Sequence, residues 1–202
     1  MNKGSVFIIS GPSGSGKDTL LKELFKKHPE IEFSISSVTR AMREGEAEGE
    51  KYNFVSREKF ESMIAKGELL EYNLYLDNYY GTPKAPVIKA CEEGKDIIIE
   101  CDVNGAANIR KNMPEAVSIF IMPPSFKELE RRLTGRGTET KEVIEARMNA
   151  SLNEIKRAAE YGYIVVNDDL NLAVEHIHSI IQSFRLRFEN QKELINEVLE
   201  KC

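Results

Sequence analysis

The run Gly11-Pro12-Ser13-Gly14-Ser15-Gly16-Lys17-Asp18-Thr19 constrains the fold more than any other stretch, because of where it stands. It follows the apolar Val6-Phe7-Ile8-Ile9 and leads into a helical pattern from Thr19 to Lys27. Strand, glycine-rich loop and helix in that order are the context a phosphate-binding loop requires. The glycines permit turns closed to other residues, so that successive N–H groups and the helix start can face one anion. Lys17 adds a cation on a flexible stem.

One position departs from the usual pattern. Asp18 stands where a Ser or Thr would give its hydroxyl to Mg²⁺. A carboxylate there is repelled by a triphosphate unless a metal or its waters intervene, whereas the helix dipole favours an acid in a first turn. Two readings of Asp18 therefore stand: dipole compensation, or contact, with Thr19, to a water of the Mg²⁺ shell.

With 202 residues the chain suits one α/β domain, with room for a small inserted lobe. Its net charge of −5 argues against a general nucleic-acid binder, whose affinity needs an excess of Lys and Arg. Cys91, Cys101 and Cys202 are odd in number and lack metal spacing, which suits reduced thiols in the cytoplasm. No apolar span approaches the length of a membrane helix, and no signal peptide is expected.

Further along, Glu32 to Ser36 alternates as a half-buried strand does, and Arg40 and Arg43 follow in a loop where two guanidinium groups could clamp one phosphate. Glu44 to Glu50 reads as a solvated loop. Tyr52 to Val55 suggests a short strand, Ser56 an N-cap, and Gly67 the stop of the helix between. Glu68 to Tyr75 and Tyr79-Tyr80 have the character of a small antiparallel sheet. Residues 36–84 thus lack the strand-and-helix rhythm around them and read as an inserted lobe.

The rhythm returns with a helix from about Pro83, the buried strand Ile97-Ile98-Ile99 and the acids Glu100 and Asp102 at its end, the functional edge of a parallel sheet. A strand from Ala116 to Met122, a helix capped by Ser125, a small-residue break from Thr134 to Thr140 around Arg136, and a long helix from Lys141 to Tyr161 carrying Arg147 come next. The break suggests a lid hinged at glycines. A last strand from Tyr163 ends at Asn167, and the rest is mostly helical, packing back on the core or serving an oligomer. The expected class is α/β: a doubly wound parallel sheet with an inserted mixed α/β lobe and a helical lid. Its parts are a core at about 1–35, 85–124 and 160–202, the lobe at about 36–84, and the lid at about 125–159.

A phosphate loop serves ATPases, GTPases and kinases alike. No Asn-Lys-x-Asp run for guanine reading is present. A small-molecule kinase needs two anion sites and a cover, since phosphoryl transfer is mainly positioning and charge stabilisation, and Lys17, Arg40, Arg43, Arg136 and Arg147 supply the cations. At these residues the chain resembles guanylate kinases, from the phosphate loop to Asp169. The resemblance rests on Phe33 to Arg40, Arg43 with Gly45-Glu46, Tyr52-Asn53-Phe54, Glu71, Asn78 to Thr82, Gly135 to Glu139 and Val166-Asn167-Asp168.

The resemblance implies transfer of the γ-phosphate of ATP to GMP, with Mg²⁺ bridging the ATP phosphates largely through waters. It implies that Arg40 and Arg43 grip the GMP phosphate with Tyr52 and Tyr80, and that Glu71 accepts from the two donors of guanine, helped by Ser36 and Thr82. Glu100 and Asp102 would divide guanine contact and water-mediated Mg²⁺ contact between them. Lys17 and the loop from Gly11 to Thr19 would hold ATP, Asn167 would lie by the adenine, and Arg136 and Arg147 would close on the transferring group. The rival readings are a kinase for a ribose bisphosphate and a non-catalytic phosphopeptide-binding module. Oligomeric state is not legible.

Overall fold

The protein is described by a computed structural model over residues 3–135 and 141–200. In chain order the first elements are β1 (Val6–Ser10), α1 (Lys17–Lys27), β2 (Glu32–Phe33), β3 (Ser36–Val38) and β4 (Tyr52–Phe54). There follow α2 (Arg57–Ala65), β5 (Leu69–Tyr75), β6 (Asn78–Pro83), α3 (Lys84–Glu92), β7 (Ile97–Glu100) and α4 (Val103–Asn112). The last are β8 (Val117–Met122), α5 (Phe126–Thr134), α6 (Lys141–Lys156), β9 (Tyr163–Val166), α7 (Leu170–Arg185) and α8 (Lys192–Glu200). These fall into two compact units.

One unit takes Ile9–Glu30 and the chain from Ser118 onward. Its strands run in the order β1-β8-β9, and β8 and β9 are parallel, with Ile119 opposite Tyr163 and Met122 opposite Val166. Leu20, Leu21 and Leu24 recur at helical spacing on α1, and Ala173, Val174, Ile177 and Ile181 on α7, so each helix buries one stripe and the two pack together. A second cluster joins Leu129 and Leu133 of α5 to Met148 of α6. Each such leucine contributes roughly 1.5–3 kcal/mol by leaving water. The expected long helix ends early: α6 stops at Lys156 and a 3₁₀ turn covers Arg157–Glu160. The apolar residues of α8, Leu194, Ile195, Val198 and Leu199, are exposed, so among the described residues the tail helix does not bury them.

The other unit takes Lys3–Ile8 and Ile31–Val117. It holds strands in the order β2-β7-β1 and a four-stranded sheet in the order β4-β3-β6-β5. The stretch expected as one strand, Glu32 to Ser36, is divided between them. Glu32 and Phe33 pair in parallel with Ile97 and Ile98, whereas Ser36 to Val38 lie between β4 and β6. Alternation reveals a pleated backbone but not which partner each residue hydrogen-bonds, and here the partner changes after Ser34. The hairpin β5–β6 turns through Leu76 and Asp77, whose φ of 45° and 60° are positive, as the tight primed turns require. Ser56 caps α2 by accepting from the Lys59 N–H at 3.2 Å. On the helix side, α4 packs on β5, and Asn112 Nδ2 donates to the Leu70 carbonyl at 3.0 Å.

Candidate active site

The phosphate loop lies wholly within the first unit. Gly16 is the N-cap of α1 with φ 87°, and a Cβ there would meet the Asn167 amide, so both its backbone and its lack of a side chain are required. The helix itself begins two residues earlier than expected, at Lys17, which brings Lys17, Asp18 and Thr19 into the first turn, where free N–H groups and the dipole favour an anion. Lys17 Nζ folds back to donate to the carbonyls of Gly11 at 2.6 Å and Pro12 at 3.2 Å. A phosphate offers the ammonium a stronger, charged acceptor in the same place.

Around the loop the structure gathers residues from far along the chain. Asn167, buried at the end of β9, donates through Nδ2 to the Ser15 carbonyl at 2.8 Å. Arg147 Nη2 on α6 donates to Ser13 Oγ at 2.7 Å. Arg132 on α5 was not singled out from sequence, yet it donates to the Ser15 carbonyl at 3.2 Å and to the Asn167 carbonyl at 3.0 Å. Glu128 accepts from its Nε at 2.8 Å, and Arg131 and Arg132 together hold that carboxyl down at about 2. The only sign in the sequence is the i,i+4 spacing of Glu128 and Arg132, which solvated helices share. Gly16, Lys17, Asp18, Thr19, Arg132 and Asn167 line a cleft of about 470 Å³, the size of a small-molecule site. Arg136, expected to close on this cleft, lies outside the described residues.

The second constellation belongs to the second unit. Glu71 on β5 and Thr82 on β6 are cross-strand partners, as are Asn73 and Tyr80, so these four side chains share one face of the sheet. Glu71 is buried, and its Oε1 accepts from the Thr82 hydroxyl at 2.7 Å. Burial pushes its carboxyl up to about 7, opposed by the Thr82 hydroxyl and aided by the charge on Asp102. Ser36 and Tyr52 are paired across β3 and β4.

Arg40 stands beside this face. Its guanidinium lies over the rings of Tyr52 at 5.1 Å and Phe54 at 5.5 Å, and the Tyr52 and Tyr80 rings meet edge to face. Glu46 accepts from both terminal nitrogens of Arg40, at 2.7 and 2.6 Å, and from the Arg43 N–H at 2.8 Å. A carboxylate in the fork of Arg40 presents two oxygens as a phosphate would. Arg43 is exposed.

Asp102 proves to be the N-cap of α4. Its Oδ1 accepts from the N–H groups of Asn104 at 2.9 Å and Gly105 at 2.7 Å, and its Oδ2 from Asn73 at 2.8 Å. Glu100, at the end of β7, pairs with Lys51 at 2.9 Å. Lys51, Asn73 and Gly105 escaped sequence reasoning because each acts on another residue's carboxylate, and such contacts leave no spacing to read.

A model of the guanylate kinase family matches residues 3–184. The guanylate kinase of Clostridioides difficile is 44% identical, over 98% of this chain and 96% of that protein, and that of Halalkalibacterium halodurans is 46% identical, over 98% and 97%. The crystal structure of guanylate kinase from Anaplasma phagocytophilum superposes with a TM-score of 0.79 at 30% identity, covering 96% of this chain and 94% of that one. Agreement of this extent, over a phosphate loop and a buried carboxylate on a separate sheet, means that the chain belongs to the guanylate kinase family.

Proposed function

We infer that the chain is an ATP:GMP phosphotransferase, forming ADP and GDP. Full-length relatives named guanylate kinase support the activity. The observation that carries the specificity is the buried Glu71 carboxylate fixed by Thr82. Guanine offers a ring N–H and an exocyclic amine side by side, two donors that one carboxylate accepts together, whereas adenine offers an acceptor beside a donor. An ionised Glu71 therefore favours guanine and repels adenine, with Ser36 and Thr82 adding hydroxyls at the same edge. A role for Glu100 or Asp102 there is secondary, since Asp102 already caps α4 and Glu100 already pairs with Lys51.

The acceptor phosphate would be gripped by Arg40 and Arg43 with the phenols of Tyr52 and Tyr80. An oxygen of that phosphate attacks the γ-phosphorus as the bond to the β,γ-bridging oxygen breaks, and ADP leaves. Lys17 and the loop N–H groups from Gly11 to Thr19 hold the ATP phosphates, Asn167 lies by the adenine, and Arg147 and Arg136 neutralise charge on the transferring group. Asp18 and Thr19, exposed oxygen donors in the first turn of α1, suit Mg²⁺ held through water. The metal would supply charge neutralisation on the β- and γ-phosphates. We assign residues 36–84 to acceptor binding and 125–159 to a lid. The cytoplasm, where both nucleotides are abundant, is the expected compartment; no helix among the described residues is long and apolar enough to cross a membrane.

ADP formation from ATP and Mg²⁺, with GMP, AMP, UMP, CMP and ribose bisphosphate offered in turn, tests the reading. Turnover with GMP alone is expected. Turnover with another acceptor overturns the role of Glu71, and none from folded protein overturns the enzyme.

A further inference from the structure

His28, His176 and His178 show no spacing in the sequence for metal or acid–base work, yet two of them meet in the structure. His28 follows the last residue of α1, where its N–H donates to the Leu24 carbonyl at 2.8 Å, and His178 lies on α7. Their rings stack with centroids 3.7 Å apart and planes 15° from parallel. Glu30 brings a carboxylate oxygen 3.7 Å from His28 Nδ1. One nitrogen or oxygen from each of the three residues lies within 4.8 Å of the other two.

The cluster is incompletely satisfied. His28 Nε2 is buried and, among the described residues, has no hydrogen-bond partner. An unsatisfied buried polar atom of that kind destabilises the fold until a partner reaches it. Gln182, one turn along α7, donates its amide nitrogen to His178 Nε2 at 3.0 Å; turning that amide over would make it accept from the ring N–H, as the outer partner of a metal-bound histidine does, and free the other nitrogen for an ion. Glu175 lies nearby on α7, paired at 3.7 Å with Lys27, so the surroundings carry acid charge as well as base.

We propose that His28, Glu30 and His178 form a binding site for a divalent transition metal of the Zn²⁺ class, separate from the nucleotide sites. Two imidazole nitrogens and one carboxylate oxygen are a donor set such ions take, with water completing a tetrahedron. Mg²⁺, a hard cation that prefers oxygen and keeps its waters, does not compete for it.

Closure on the metal requires movement. Ligands about 2.0–2.1 Å from a tetrahedral centre stand roughly 3.3 Å from one another, so the present spread must contract. The lone pairs of parallel rings also run side by side, so the two imidazoles must splay. The cluster has freedom for both, because Glu30 is half exposed and His28 lies past the helical part of α1. The consequence is a clamp: α1 starts at Lys17 of the phosphate loop, and the metal ties its far end to α7, which adds stability without touching the chemistry.

The test uses the full chain, stripped with chelator and titrated with Co²⁺ while its visible absorption is followed, and with Zn²⁺ while Tm is followed. Saturable binding near one equivalent and a rise in Tm of several degrees at about 100 times Kd are expected. His28→Gln and His178→Gln should each weaken binding more than about tenfold, and exposed Glu30→Gln somewhat less, with ADP formation in Mg²⁺ unchanged. The glutamate variant keeps the test decisive if either histidine change impairs folding. Absence of saturable binding to the wild type overturns the site, as does wild-type Co²⁺ absorption in the His28→Gln/His178→Gln double variant, which places the metal on the thiols.

Discussion

The Thr82 hydroxyl donates to Glu71 Oε1 at 2.7 Å, inside a pocket where the carboxyl is buried and raised to about 7. Free protein below neutral pH therefore holds Glu71 protonated, and a protonated acid presents a hydroxyl to a base edge made of donors. Binding guanine must drive that proton off. The KM for GMP should fall as pH rises toward 7, approaching tenfold per unit, and level off above, while the KM for ATP changes less. Thr82→Val removes the main group that favours the ionised form, so its profile should move to higher pH. The GMP phosphate itself titrates near pH 6, but equally for both proteins, and the displacement between the two profiles isolates Glu71.

Stability carries the opposite sign. The folded state binds the Glu71 proton more tightly than the unfolded chain, so this group's contribution is fully present below its ordinary value of 4.5 and is lost as pH rises through 7. The loss is on the order of 3 kcal/mol. Glu71→Gln has no charge to bury and should melt above the wild type at about pH 8, the difference vanishing below pH 4.5, while its KM for GMP rises more than tenfold. Thermal melts at the two pH values check the first half and kinetics the second. A variant that melts lower at both would show that the carboxylate is held by more than Thr82.

Gly105, in the first turn of α4, faces the other oxygen of the same group: a Cβ there would stand 2.8 Å from Glu71 Oε2 and 3.2 Å from the Cys101 Cβ. Thr82 holds Oε1 from the opposite side, so the carboxylate cannot retreat without breaking its hydrogen bond. Gly105→Ala should raise the KM for GMP by about tenfold and leave that for ATP unchanged. Glu71→Asp in the same background draws the carboxylate back from the methyl, and partial recovery would separate displacement of Glu71 from general damage to α4.

Much of this was legible before the structure. The loop from Gly11 to Thr19 announces itself because glycine spacing, apolar strand and helix all bear on the same few residues, and the Ser56 cap and the Gly67 stop did so for α2 in the same way. Asp102 was read as a site acid at a strand end. In the structure its oxygens accept from backbone N–H groups of α4 and from Asn73, a capping role that residue type and position alone do not reveal. The division of Glu32 to Ser36 between two sheets, and the meeting of His28 with His178, depend on partners far along the chain, which local periodicity does not encode.

Arg40 and Glu46 form a two-point pair, and Arg40 holds the Glu46 carboxyl down at about 2, so the acid stays charged throughout the working range. Stacking on Tyr52 and Phe54 fixes the plane of the guanidinium and Glu46 fixes its rotation within that plane. Glu46→Gln keeps one acceptor of the two, and the KM for GMP should rise several-fold with little change in that for ATP. Arg40→Lys replaces the fork by a point charge and should cost about 10²-fold in kcat/KM for GMP. A fall in KM on Glu46→Gln would identify Glu46 as a competitor of the phosphate instead.

Arg132 bears on the donor side alone. Its two terminal nitrogens bridge the Ser15 carbonyl of the loop and the Asn167 carbonyl after β9, while Glu128 steadies its Nε. Asn167 Nδ2 reaches the same Ser15 carbonyl, so one oxygen of the phosphate loop is held from two directions. Arg132→Met keeps the length and apolar stem but removes every donor, leaving the loop position to Asn167. The KM for ATP should rise about tenfold and that for GMP stay within twofold, because Ser15, Asn167 and Glu128, its hydrogen-bond partners among the described residues, belong to the phosphate-loop unit. Arg132→Lys should recover little, since one ammonium cannot span two carbonyls and a carboxylate in the fixed plane that a guanidinium does. Equal losses for both nucleotides would instead mean that Arg132 supports the fold through α5, and the Tm of the methionine variant would then fall with the activity.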